Sequence, residues 1–174
     1  MMMGTLALTA QENGKSIQVE EFLHLGNFMV KMPAFHEQKN LDGDTFENAE
    51  LLKFDYINRN ALFPKDDKTI NWKNQKYEWE KLKAAKNGFV FPEEKIEKNI
   101  NRLAFLALWV ETERYTKASL EVSSPQMFEV YVNNKSVKTK TSEQGEDEDP
   151  EFTNIKLTLE RGKHLLLFKS LKTA

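Results

Sequence analysis

Apolar and polar side chains alternate through much of the second half of the chain. "KASLEVSS" and "MFEVYVNN" carry an apolar residue at nearly every other position, and "FTNIKLTLERGKHLLLFKSL" continues the pattern around Arg161-Gly162. Successive side chains of a strand point to opposite faces, so the pattern predicts half-buried antiparallel strands, the last two joined at Arg161-Gly162. "LAFLALWVETE", from Leu103, is apolar on both alternating faces, as in a strand buried on both sides. A helix competes for residues 93 to 110. Pro92-Glu93-Glu94 suits a helix start, and Ile96, Ile100, Leu103 and Ala107 fall at helical spacing. A short helical turn at Pro92 followed by a strand is the favoured reading.

The first half is less regular. "IQVEEFLHLGNFMVKMPAF" alternates loosely and is cut by Gly26 and Pro33, which suits a strand entering the domain. A turn follows at Asp42-Gly43-Asp44, and Thr45 is a candidate cap for a short helix through Lys53, without the Glu or Gln of a capping box at position 48. In "KTINWKNQKYEWEKLK", Tyr77 and Trp79 stand two apart, as on one face of a strand. Asn87-Gly88 is a further turn signal.

Between "MFEVYV" and "KSVKTK" lies Asn133-Asn134, read as a type I′ hairpin turn. Asparagine visits positive φ more readily than other non-glycine residues, so the turn accounts for both residues and their side chains need touch nothing.

Composition narrows the classes. The 174 residues are 40% hydrophobic and 30% charged, which suits one folded domain with a sizeable core. A formal net charge of −2, with both signs mixed along most of the chain, leaves no electrostatic footprint for nucleic acid or an anionic membrane. No segment approaches the roughly 20 apolar residues of a membrane span. Without cysteine there is neither a disulfide framework nor a thiolate nucleophile, and the redox compartment stays open.

"MMMGTLALTA" carries no charged side chain and ends in small residues ahead of a polar run, as at a signal-peptide cleavage site. Residues 1 to 10 are therefore expected to be the remnant of an export signal and 11 to 174 a single domain, exported to the periplasm, cell surface or medium. The other reading of the start is an ordinary disordered terminus. "EQGEDEDPE" crowds six carboxylates together. Like charges repel and stay hydrated, so the expected role is a solvated loop between strands. A calcium loop is the alternative, although the ligand order of a known calcium motif is missing.

Taken in order, these strands resemble the galactose-binding-like jelly-roll domains. Val130, Tyr131, Val132, Asn133, Lys135 and Val137 fit that family's "v-Y-v-N-G-k-x-v" tip. Leu157, Leu159, Gly162, Leu165, Leu166, Leu167 and Lys169 fit its "v-x-L-x-x-G-x-N-x-l-l-v-K" pair. Asn134 stands for the usual glycine and His164 for the usual asparagine. The resemblance implies a mainly β, antiparallel jelly-roll β-sandwich with one or two short helices. It also implies a non-catalytic accessory domain of an exported multidomain protein, packed on a neighbouring domain of a longer parent chain. The ending "LLLFKSLKTA", a few residues past the last strand, fits that expectation.

Catalytic patterns are scarce. His24, His36 and His164 have no metal-ligand spacing, and Glu78 and Glu80, flanking Trp79, form an ordinary solvated strand face before they form a catalytic pair. No catalytic residue and no cofactor is assigned, a structural calcium ion being left open. The runner-up function is a carbohydrate-binding module, because an aromatic face stacks on a pyranose while polar side chains bond its hydroxyls. Trp72, Asn74, Tyr77, Trp79 and Arg114 are its candidate residues.

Overall fold

The computed structural model describes residues 5–10, 15–59, 62–83, 100–145, 148–149 and 151–174. The turn signal at Asn87-Gly88 and the helical turn expected at Pro92 lie outside these residues. Strands β1 (Thr5–Ala10) and β2 (Lys15–Gln18) pair with β8 (Thr116–Ser123) and β11 (Phe152–Leu159) in a four-stranded sheet ordered β11-β8-β1-β2. The larger sheet is ordered β10-β9-β12-β7-β3-β6. It comprises β3 (Glu21–Val30), β6 (Glu80–Lys83), β7 (Asn101–Thr112), β9 (Met127–Val132), β10 (Lys135–Lys140) and β12 (Gly162–Lys172). A small hairpin, β4 (Thr69–Trp72) and β5 (Gln75–Glu78), stands beside them, and among the described residues every pairing is antiparallel.

The two main sheets form a β-sandwich. Ala118, Leu120 and Val122 of β8 and Ile155, Leu157 and Leu159 of β11 share one core with Phe128, Val130, Leu166 and Phe168 of the larger sheet. Alternation in "ASLEV" and "IKLTL" thus reports one buried and one outward face. Thr5–Ala10, expected to be the end of an export signal, pairs with β8 on one side and β2 on the other.

The larger sheet is covered on its second face too. Leu51, Leu52, Ile57, Leu62 and Trp79, from the irregular segment between residues 31 and 79, pack on Leu25, Phe28, Leu103, Phe105, Leu165, Leu167 and Leu171. Burial on both faces is why "LAFLAL" and "LLLF" are continuously apolar. It also decides between strand and helix for residues 101 to 110, which are strand β7.

Two local features place this covering layer. Gly26 (φ 125°) lies at a bulge where the β3–β7 register shifts between Leu25 and Phe28. Leu23 and Leu25 before the bulge and Phe28 and Val30 after it all face the covering layer. Without the extra residue, strict alternation would turn Phe28 and Val30 to the opposite face. A side chain at Gly26 would place its Cβ 2.9 Å from the Leu103 carbonyl oxygen. The short helix of the covering layer is a 3-10 helix, Asn48–Lys53. Its cap is Glu47 rather than Thr45, with the Glu50 carboxylate accepting the Glu47 backbone N–H at 3.3 Å. The cap lies two residues later than Thr45 because Leu51 and Leu52, the buried pair, fix which turn meets the sheet.

Candidate functional site

Of the residues proposed for sugar binding, Trp72 and Tyr77 pack around Phe28. Lys73 (φ 46°) and Asn74 (φ 63°) form the tight turn of the β4–β5 hairpin, which pairs Ile70 with Tyr77 and Trp72 with Gln75. The Phe28 ring centroid lies 5.3 Å from that of Trp72, edge-on, and 4.2 Å from that of Tyr77. Trp72 and Tyr77 are half-buried, and the Lys73 ammonium sits 4.4 Å from the Trp72 ring centroid. Trp79 is fully buried, and its backbone is fixed by bonds to Lys68 O (2.9 Å) and from Asp67 N (3.1 Å).

Trp79 therefore offers no face to a ligand, a correction to its place in the candidate site. The two-residue spacing correctly puts Tyr77 and Trp79 on one side, but that side faces the core. Asn74 is exposed at the hairpin tip through its turn conformation, and Arg114 is exposed beside the β7–β8 connection. Arg114 lies between β7 and β8, outside the β4–β5 hairpin that carries Trp72 and Tyr77. Glu78 and Glu80 are both exposed on either side of buried Trp79.

The Asn133-Asn134 turn has the positive φ values expected, 49° and 68°. Its side chains do not stand clear, however. Asn133 Oδ1 accepts the Leu165 N–H at 2.9 Å while its backbone N–H donates to Leu165 O at 2.9 Å. The side chain thus supplies the acceptor that the β9–β12 ladder loses where the backbone turns away. Asn133 Nδ2 donates to His164 Nδ1 at 3.0 Å, and His164 Nε2 donates to Glu160 O at 2.7 Å. The two partners assign the neutral ring's proton to Nε2.

A lysine interrupts the apolar run of β12. Lys169 is 2% exposed, and its Nζ donates to Leu52 O and Phe54 O at 2.5 and 2.6 Å. These carbonyls end the 3-10 helix, where a cation is favoured. Burial pushes the ammonium down to about 8, against the pull of Asp55 and Glu129. Glu129, the cross-strand neighbour of Lys169, accepts from Tyr131 Oη (2.5 Å) and Ser136 Oγ (2.6 Å). Burial first, then the bond to Glu129, pushes the Tyr131 phenol well above its ordinary value. Arg59 lies 4.3 Å over the Tyr131 ring and 3.0 Å from Asp55. The network ties the covering layer to the sheet. A lone lysine within "LLLFKSL" is the signal that could have drawn attention to it, since lysine is almost never fully buried without partners.

Beside it runs a row of rings. Centroids of Phe35 and Phe46 are 6.1 Å apart, those of Phe46 and Phe54 6.0 Å, and those of Phe54 and Tyr56 5.9 Å. Phe35 is 55% and Phe54 43% exposed. These positions follow no strand or helix period, so sequence patterning could not group them.

In the acidic segment, Glu143 accepts from the Thr173 backbone N–H and hydroxyl at 2.7 and 2.6 Å, and Glu151 lies 3.7 Å from Lys140. No group of three or more His, Asp or Glu placed to hold a metal occurs among the described residues, nor any helix long and apolar enough to cross a membrane. Comparison of the chain with known families, curated proteins and solved structures gives no match.

Proposed function

We propose that this chain is a non-catalytic accessory β-sandwich domain, of the galactose-binding-like jelly-roll kind, that packs against a neighbouring domain of an exported multidomain protein. The observation that carries the reading is the row Phe35–Phe46–Phe54–Tyr56 on the covering layer, in which Phe35 and Phe54 are exposed while Phe46 and Tyr56 are half-buried against the core. Contiguous apolar exposure of this kind marks interaction surfaces. Beneath it, Lys169 ties the layer to the sheet through its bonds to Leu52 O and Phe54 O. Export remains part of the proposal. Residues 5–10 lie within the smaller sheet, so the exported form would retain them as a strand.

The test has two steps. The intact mass of the polypeptide as cells make it should exceed 20.3 kDa. Amides around Phe35, Phe46 and Phe54 should then exchange more slowly in that longer chain than in this domain alone. A native polypeptide of this mass alone, or identical exchange in both forms, would refute the packing role.

A further inference from the structure

We infer that a shallow pocket between β3, β6 and β7 is a binding site for a single neutral sugar ring, with Trp109 as its stacking surface and Glu21 and Lys81 as its hydrogen-bonding wall. The site is separate from the Trp72–Trp79 group and from the row at Phe35, and it goes beyond the packing role, which holds or fails independently.

The pocket is about 110 Å³ and is lined by Glu21, Leu23, Lys81, Ala107 and Trp109 among others. Register places Leu23 opposite both Lys81 and Ala107, so the lining lies on one face of three adjacent strands. Ala107 keeps the floor low where a larger side chain would fill it. Trp109 is 47% exposed, and its Nε1 donates to Pro64 O at 3.0 Å. With the indole N–H used inside the protein, what Trp109 presents to solvent is ring carbon held at a fixed angle. That is the surface a pyranose C–H face requires.

The wall is polar and balanced. Lys81 Nζ lies 3.0 Å from Glu21 Oε1, with both side chains about half exposed. Glu21, and Asp66 beyond it, raise the lysine pKa, so the ammonium is charged at neutral pH. One ammonium and one carboxylate offer donors and acceptors to hydroxyl groups with no excess of positive charge, which disfavours phosphates and other anions. The volume lies well below the roughly 300 Å³ at the low end of typical small-molecule pockets, which restricts the occupant to one ring or the end of a chain.

The three tryptophans make the test selective, because Trp79 is buried and Trp72 half-buried while Trp109 is the most exposed. The folded protein is titrated with glucose, galactose, mannose, xylose and N-acetylglucosamine and their soluble oligomers, following tryptophan emission. The expected result is a saturable blue shift with one of them and a dissociation constant on the order of 1 mM. The shift should vanish in Trp109→Leu and the affinity fall at least about tenfold in Glu21→Gln, with Trp72→Phe unchanged. Circular dichroism confirms that each variant is folded, and Trp109→Phe, which keeps a ring, should retain binding by calorimetry if Trp109→Leu loses stability. A flat response across the panel overturns the inference. So does a saturable response that survives both Trp109→Leu and Glu21→Gln, or one lost only in Trp72→Phe.

Discussion

Asn133 does three things at once, and replacing it separates them. Asn133→Ala puts a Cβ-bearing residue with no polar side chain at φ 49° and removes both side-chain bonds to β12. The left-handed conformation costs an ordinary residue about 1 kcal/mol more than asparagine or glycine. Each lost bond is worth about 1 kcal/mol net, with the Leu165 N–H left unpaired in a buried strand. The sum is about 3 kcal/mol, and a chain of this length loses about 2–4 °C in Tm per kcal/mol, or about 6–12 °C. Asn133→Gly keeps the backbone conformation and loses only the bonds, so it should cost about 2 kcal/mol. Urea unfolding of the three proteins at pH 7, followed by far-UV circular dichroism, reads the difference. If the alanine and glycine variants unfold at the same midpoint, the conformational contribution is refuted. If both match the parent, the side-chain bonds contribute nothing and the account of the turn fails.

Further outcomes follow from the covering layer and the two buried bases. Gly26→Ala should lower stability by at least about 2 kcal/mol in urea unfolding, because the new Cβ meets the Leu103 carbonyl at 2.9 Å in a backbone conformation that favours glycine. Burial lowers His24 from 6.5 to about 4, so the unfolded chain binds a proton between those values that the native protein refuses. Stability from this group is full above pH 6.5 and is lost as pH falls. By pH 5 the loss is about 2 kcal/mol, and a His24→Leu variant should lack that part of the slope. For Lys169 the lowered value, about 8 against 10.5, means that stability rises with pH across that window, since the unfolded chain holds the proton longer. Lys169→Met should abolish the rise between pH 8 and 9.5, and at pH 7 should cost about 1–3 kcal/mol through the unpaired Leu52 and Phe54 carbonyls, partly offset by removal of a buried charge.

The alternating pattern of the second half translated directly into strands because each side chain's face is fixed by the backbone's twofold period. That is why β8, β9, β11, β12 and the Arg161-Gly162 and Asn133-Asn134 turns are legible without any partner. The positive φ at Asn133 is likewise a local property. Its bonds to His164 and Leu165 are not, since they join residues 31 and 32 positions apart in the chain.

What residues 31 to 79 do was decided only in three dimensions. Polar neighbours around Trp72, Tyr77 and Trp79 suggest an exposed aromatic cluster, yet the second face of the larger sheet needs a cover and takes Trp79 as part of it. The continuous apolar runs of β7 and β12 already demanded such a cover, but not which segment would supply it. The same docking brought Leu52 O and Phe54 O to Lys169 and lined up Phe35, Phe46 and Phe54, because a segment without a repeating period declares its inward face only when it meets the surface it covers. The pocket at Trp109 has the same origin: three strands far apart in sequence bring Glu21, Lys81 and Trp109 together, and only their register could do so.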